Sequence, residues 1–253
     1  MADDNNNKID DNIDIDFNFG DFGNFDIPDL DIDAFDFVPD EISELESRYI
    51  KPKLKPMKKD YVLYDNALKF AKEAKIDFNE RIYAMIAGSF IFGDFIEAFF
   101  TTHNVNATEM IISTLSLSQE NIDSLHNLLI HGYVDKLTIL VSDYFYSHER
   151  FNLVPYMYEM LDINDSFQLA VAFVHTKTIQ FKTAGGRNIV IHGSANLRSS
   201  GNVEQFCMEE SEELYNFFKD RFQPIIDEYS TINKRADRKT QWKLMSNKTF
   251  KNY

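Results

Sequence analysis

Strand-like and helix-like segments alternate along the middle of this chain, and the alternation limits the fold more than any other feature. The runs TEMIISTLSLS (108–118) and VDKLTILVS (134–142) are apolar and rich in β-branched residues, which is typical of strands. Between them, QENIDSLHNLLIHGY (119–133) repeats apolar residues at helical spacing. Strands separated by helices predict an α/β domain in which helices flank a mixed β-sheet.

The remaining elements follow the same pattern. FQLAVAFVHTKTIQFK (167–182) is predicted to form one long strand, and RNIVIHGSA (187–195) is predicted to form the next. AGGR (184–187) predicts a hairpin turn between them, because glycine allows the positive φ that such turns need. Three further segments predict helices: NALKFAKEAK (66–75), NLVPYMYEML (152–161) and SEELYNFFKDRFQPIIDEY (211–229).

Charge divides the chain into segments. Residues 1–47 contain 16 acidic residues and one lysine, and the whole chain has a net charge of −15, so the remainder is balanced. Phenylalanines spaced among these carboxylates favour a disordered segment that docks on a partner protein; a nucleic-acid mimic that autoinhibits, or no specific role, are the alternatives. Residues 48–62 predict a Lys/Pro-rich linker, 63–232 the α/β domain, and 233–253 a basic C-terminal tail with seven Lys/Arg and one Asp.

Composition also limits the compartment. The only cysteine, Cys207, rules out an intramolecular disulfide and is typical of a reducing compartment. The most apolar window (83–100) contains Asp94 and Glu97, whereas a membrane span needs about 20 apolar residues. The N-terminus lacks the basic and apolar regions of a secretory signal. We therefore expect a cytoplasmic protein with no membrane partner.

The segment HTKTIQFKTAGGRNIVIHGSANLRSSGNVEQF (175–206) contains the residues most suggestive of chemistry. Alternate residues of a strand share a face, so His175 and Lys177 are predicted to project together. The hairpin would bring Ser194 and Asn196 beside them. An imidazole can attack phosphorus covalently, and lysine and asparagine can stabilise charge on the phosphate oxygens. We find no cysteine or carboxylate cluster in the sequence that suggests a metal site, and we expect neither a metal nor a cofactor.

These residues resemble a known family. His175-Thr-Lys177 followed by GSAN (193–196) is similar to the HxK…GSxN signature of the phospholipase D superfamily, in versions found in phage and mobile-element proteins. The resemblance covers about residues 83–228 and implies an α/β/α sandwich. It also implies that His175 is the nucleophile and that Lys177 and Asn196 hold the phosphate.

The resemblance assigns roles to neighbouring residues as well. Glu204 stands where the family has an acidic residue that orients a histidine, and Ser194 belongs to the same catalytic set. Gly193, Arg198 and Lys182 are candidate substrate-binding residues. For Arg198, capping a helix is an equally good interpretation.

Two departures from the family pattern affect the expected mechanism. Lys182 stands where the pattern has aspartate, and the chain contains one HxK motif where family sites use two. Either two chains pair across a two-fold axis, so that the partner's histidine protonates the leaving oxygen, or the site is incomplete. His192, on a predicted buried strand, is interpreted as a hydrogen-bonded packing residue.

The favoured function is a metal-independent phosphodiesterase that cleaves nucleic acid as a homodimer through a phosphohistidine. The basic residues of 233–253, with Trp242 among them, favour a nucleic-acid partner. The alternative is a catalytically degenerate module that binds nucleic acid or protein and is recruited through residues 1–47. Lys182 favours this alternative.

Overall fold

The computed structural model describes residues 63–64, 66–75, 80–87, 90–198 and 202–229. The predicted acidic tail (1–47), linker (48–62) and basic tail (233–253) lie outside the described residues. The described residues form eight strands. These are β1 (Leu63–Tyr64), β2 (Arg81–Ile86), β3 (Ala107–Thr114), β4 (Leu137–Ser142), β5 (Phe167–Ala172), β6 (Thr178–Thr183), β7 (Asn188–Gly193) and β8 (Glu204–Glu210).

Six helices occur in the same described part of the chain. They are α1 (Ala67–Glu73), α2 (Phe92–His103), α3 (Gln119–Ile130), α4 (Asp143–Glu149), α5 (Leu153–Leu161) and α6 (Glu212–Tyr229). None of these helices is long and apolar enough to cross a membrane. The predicted helices correspond to α1, α3, α5 and α6.

All eight strands form one sheet in the order β1-β2-β8-β7-β6-β3-β4-β5. Neighbours at the two sides of the sheet are parallel, namely β1 with β2, and β4 with β3 and β5. The central pairs from β2 through β8, β7 and β6 to β3 are antiparallel. The prediction of an α/β fold with a mixed sheet and flanking helices is therefore confirmed.

Successive side chains of β8 point to opposite faces of the sheet. Phe206 packs on one face against Phe70 of α1 and Phe95 of α2, with ring centroids 4.8 and 5.1 Å apart. Large buried rings such as these remove roughly 150–250 Å² each from water and dominate a core. Cys207 and Glu209 point to the opposite face.

Helix α6 covers that opposite face. Its Tyr215 hydroxyl and Lys219 ammonium both donate to Glu109 of β3 at 2.6 Å. These bonds fix α6 across the antiparallel centre of the sheet. The sheet consequently has helices on both faces, with a polar component on the α6 side.

The prediction of one strand over 167–182 is wrong. β5 ends at Ala172 at one side of the sheet, while β6 begins at Thr178 beside β3, three positions away. Three strand spacings amount to about 14 Å, which the five residues 173–177 can span. His175 and Lys177 therefore lie on a connection that crosses the ends of β3 and β4.

The predicted hairpin is confirmed. β6 and β7 are antiparallel neighbours joined by residues 184–187. Gly186 has φ 83°, a conformation that favours glycine, and the Thr183 hydroxyl accepts a hydrogen bond from the backbone N–H of Arg187 at 2.9 Å. The turn residues thus close the hairpin in the way that the sequence predicts.

The connections 173–177 and 194–198 leave the sheet at the same end. Thr178, the first residue of β6, pairs with Ser113 near the end of β3 and with His192 near the end of β7. We call this the upper end of the sheet. The HxK and GSAN segments meet there because β6 begins where β7 ends.

Candidate active site

An open cavity of about 610 Å³ lies at the upper end of the sheet. The structure brings the five predicted catalytic residues together around it, although they span 30 positions of the sequence. They are His175, Lys177, Ser194, Asn196 and Glu204. Gly193 also lines this cavity.

Lys177 is held against His175. Its Nζ lies 3.2 Å from Nδ1 of the ring and donates to the His175 carbonyl oxygen at 3.1 Å. Because an ammonium can only donate, Nδ1 is the acceptor and a neutral ring carries its proton on Nε2. The ring is exposed, so a solute in the cavity can reach it.

Partial burial lowers the pKa of the Lys177 ammonium below its usual value, and the Glu204 carboxylate opposes this shift. If activity needs the charged ammonium, it should decline on the alkaline side below pH 10.5, the usual pKa of lysine. Glu204→Gln removes the opposing charge, so the alkaline limb of a kcat/KM profile should move to lower pH. Glu210→Gln should leave it in place. An unmoved limb in Glu204→Gln would contradict this electrostatic coupling.

Ser194 links the GSAN segment to β8. Its hydroxyl donates to the Glu204 carboxylate and accepts from the backbone N–H of Gln205 at 2.9 Å. Its own backbone N–H donates to the Gln205 carbonyl at 3.3 Å. The resemblance implied that Glu204 orients a histidine; the structure shows it bonded to Ser194.

Asn196 contributes an amide that is not satisfied by the fold. Its Oδ1 is buried with no hydrogen-bond partner among the described residues. An unpaired buried polar atom is costly, and such atoms concentrate where a ligand completes the bonding. Oδ1 needs a donor, such as a ligand hydroxyl or a water, whereas contact with a phosphate oxygen would use the Nδ2 group of the same side chain.

Gly193 is required by a close approach of two backbones. A Cβ at this position would lie 2.0 Å from the carbonyl oxygen of Gln205. Real Cβ contacts are never that short, so any side chain would force β7 away from β8. Gly193 therefore lets GSAN pack directly on the start of β8.

Two predicted substrate-binding residues are not brought to this cavity. Arg198 is exposed and lines a neighbouring groove of about 400 Å³ with Ser118 and Glu120. Lys182 lies opposite Glu109, four residues along β6 from Thr178, which is about 13 Å from the upper end. The sequence alone could not show that Arg198 lies on the side of its loop away from the cavity. Nor could it show that Lys182 lies at the far end of β6.

Sequence reasoning missed the residues that hold the two loops. Ser113 at the end of β3 places its hydroxyl 2.6 Å from that of Thr176, and it also lies 3.2 Å from the Thr176 carbonyl. Thr114 accepts from the backbone N–H of Leu197 at 3.3 Å. The only available signal was a pair of hydroxyl residues closing an apolar strand, which is a common pattern.

Ser113→Ala is expected to reduce kcat about fivefold and to lower the free energy of unfolding by only about 1 kcal/mol. The reason is that about 1 kcal/mol of hydrogen bonding no longer holds Thr176, and with it His175 and Lys177, in position. Steady-state hydrolysis with a thermal melt measures both effects. Ser147→Ala, which replaces a half-buried serine on α4, is the matched control. Unchanged kcat in Ser113→Ala would show that this contact does not position the loop.

A polar row crosses β2, β8 and β7 beneath the cavity. His192 lies opposite Cys207, and Arg81 lies opposite Glu209. The neighbouring side chains of Cys207 and Glu209 raise the pKa of His192 to about 9. His192 is not simply a packing residue, as the sequence suggested, because its side chain is 38% exposed and lines the cavity.

The expectation that no cysteine or carboxylate cluster lies here is also wrong. Ligand atoms of His192, Cys207 and Glu209 all lie within 4.8 Å of one another. The register of β7 and β8 creates this group. His192 precedes Cys207 by 15 residues, and this separation gave no indication of the group.

No protein-family model matches the sequence, and no curated protein matches it. Similar solved structures include Nuc from Salmonella typhimurium, a phospholipase D family member, at 16% identity and a TM-score of 0.37, over 47% of this chain and 78% of that chain. NucT from Helicobacter pylori is 14% identical, with a TM-score of 0.41 over 58% of this chain and 97% of that chain.

Phosphatidylserine synthase from Haemophilus influenzae is also similar. It is 13% identical with a TM-score of 0.41, over 66% of this chain and 44% of the synthase, so this chain spans less than half of that protein. Overlaps of this extent carry no argument about activity. The function has to be inferred from the side chains around the cavity.

Proposed function

We propose that this protein is a metal-independent phosphodiesterase of the phospholipase D superfamily, and that its substrate is nucleic acid. The observation that carries the proposal is the meeting of the HxK and GSxN residues around one cavity. A nucleophile, a cation and an amide N–H donor are the groups that a two-step phosphoryl transfer needs.

The first step uses His175 as the nucleophile. A phosphate that draws the Lys177 ammonium away from the ring frees the Nδ1 lone pair. A ring nitrogen then bonds to phosphorus while the bond from phosphorus to the leaving oxygen breaks, and a proton is delivered to that oxygen. Lys177 and Asn196 stabilise charge on the non-bridging oxygens.

The second step regenerates the enzyme. Water attacks the phosphohistidine, its proton passes to a base, and the bond between phosphorus and nitrogen breaks. The products are a phosphomonoester and an alcohol. No metal takes part in either step, so the test is hydrolysis of a reactive phosphodiester in excess EDTA, with His175→Ala as the inactive variant.

The proton for the leaving oxygen is proposed to come from His175 of the partner subunit in a two-fold symmetric homodimer. The chain supplies one HxK motif, whereas the mechanism needs a nucleophile and an acid. Phe173 and Val203 border the site loops and are 65% and 59% exposed. Apolar surface beside the cavity supports contact with a second copy.

The shared site predicts a specific result from mixed subunits. When wild type and His175→Ala are exchanged in equal amounts, activity should fall to about one quarter, because only wild-type pairs have both histidines. Independent sites would retain about one half. The mass in solution, measured by light scattering, should be that of a dimer. A monomeric mass with a linear loss would contradict the shared site.

Nucleic acid is proposed as the substrate because of the basic segment 233–253, which lies outside the described residues. Lysine and arginine contacts to phosphates supply most non-specific affinity. Residues 1–47 are proposed to dock on a partner protein, whose capture should be lost when they are deleted. With one cysteine, Cys207, a cytoplasmic location is part of the same proposal.

A non-catalytic binding module is the second candidate, and Lys182 in place of aspartate is what favours it. The position of Lys182 away from the cavity weakens this candidate. Covalent labelling of His175 by a reactive phosphodiester would exclude a purely binding role.

A further inference from the structure

The polar row under the cavity contains a set of metal-ligand atoms that the proposed hydrolysis does not use. His192 and Cys207 are directly opposed on β7 and β8, and Glu209 follows Cys207 by two residues. Alternate strand residues share a face, so all three side chains project to the α6 side of the sheet. Their ligand atoms all lie within 4.8 Å of one another.

Two of these atoms form a long ion-pair contact, and their separation is close to that of two ligands on one ion. His192 Nε2 lies 3.6 Å from Glu209 Oε1, which is too long for a hydrogen bond. Two ligands placed about 2.0–2.1 Å from one zinc ion in a tetrahedral arrangement are roughly 3.3 Å apart. Small side-chain adjustments would bring both atoms to that distance.

Arg81 orients the carboxylate for this purpose. Its Nε and Nη2 both donate to Glu209 Oε2, at 3.1 and 2.8 Å, which leaves Oε1 facing His192. Hydrogen bonds from a second layer of residues commonly fix ligating carboxylates in this way. Glu209 is 2% exposed and Cys207 is 4% exposed, so these two ligands are shielded from bulk water.

The cavity gives solvent and ions access to the site beside His192 and leaves room for a fourth ligand. His192 lines the cavity, and so does Thr178, its partner across β6 and β7. The Thr178 hydroxyl is buried with no hydrogen-bond partner in the described residues. A water molecule on the cavity side of an ion could bond to it, as an open zinc position requires.

We propose that His192, Cys207 and Glu209 form a site for a divalent transition-metal ion of the zinc type. The ion would take His192 Nε2, Cys207 Sγ and Glu209 Oε1, with water in the fourth position. The thiol proton, and the ring proton where present, pass to solvent as the ion binds. A thiolate and an imidazole select zinc or cobalt over magnesium. The site opens to the same cavity as the HxK residues but uses neither His175 nor Lys177 as a ligand, so it is compatible with hydrolysis that needs no metal.

Cobalt(II) titration of the full-length protein tests the site directly. Wild type should bind one ion per chain and develop the near-ultraviolet charge-transfer band of a thiolate–cobalt bond, which added zinc should remove. Cys207→Ser should lose the band, and both Cys207→Ser and Glu209→Gln should weaken binding about tenfold or more. Glu210→Gln, the next residue on the other face of β8, is the matched control.

Folding of the metal-free variants is checked by circular dichroism. If Cys207→Ser does not fold, Glu209→Gln decides the outcome, because it retains an acceptor for Arg81. A wild-type titration without the charge-transfer band would overturn the site, as would unchanged cobalt affinity in the folded variants. Neither readout depends on hydrolysis, so failure of the proposed function would not affect this test.

Discussion

His175→Ala should lower the rate of phosphodiester hydrolysis on the order of 10⁴-fold or more, because it removes the atom that bonds to phosphorus. The side chain is exposed on the connection 173–177, so little stability should be lost. Initial rates with a reactive phosphodiester, alongside a thermal melt, measure both. His131→Ala replaces a histidine at the end of α3, away from the cavity, and should leave the rate unchanged.

A second condition in the same experiment separates the mechanism from a metal-dependent one. Wild-type activity should survive excess EDTA, since Lys177 supplies the positive charge that a metal supplies in other phosphodiesterases. Retained activity in His175→Ala would refute the assigned nucleophile. Full dependence on added magnesium would refute the metal-independent chemistry even if His175→Ala were inactive.

Gly193→Ala should destabilise the protein by about 2–4 kcal/mol, a cost typical of forced overpacking and backbone displacement. The new methyl group would lie 2.0 Å from the Gln205 carbonyl oxygen, and a backbone atom within a sheet cannot move aside cheaply. Urea unfolding measures the difference in the free energy of unfolding.

Gly185 offers a matched control within the same hairpin. A Cβ there would meet only the Thr183 hydroxyl, at 3.8 Å, so Gly185→Ala should change stability by less than about 1 kcal/mol. Equal destabilisation by the two substitutions would show that the close approach of β7 to β8 is not what requires Gly193.

The sequence predicted the parts of the fold that depend on local pattern. Apolar periodicity identified α3, α5 and α6, and the glycines of 184–187 identified the β6–β7 hairpin. The hairpin in turn placed GSAN near His175, which is the main feature of the site. Strands β2 and β8 were not identified; in β8, acidic residues at both ends obscure the alternation.

The failures concern relations between distant segments. Residues 167–182 have strand character throughout, and only the separate neighbours of β5 and β6 show that the chain must cross between them. Likewise, nothing in the local pattern indicates that Cys207 pairs with His192. Lys182 was a candidate for the site because it stands where the family pattern has aspartate, although β6 carries it away from the cavity.

The β6–β7 hairpin connects the two halves of the site by only a short loop of chain. Thr178 and His192, which pair at its open end, are 14 positions apart, and the turn at 184–187 lies at the opposite end. Contacts between residues this near in sequence form quickly and at low entropic cost. The placement of HxK beside GSAN therefore depends on this one hairpin. The hairpin can form early in folding, and substitutions in the outer strands need not disturb it. Insertions at 184–187 would lengthen the hairpin at the end remote from the chemistry, which makes this turn the natural position for a reporter peptide.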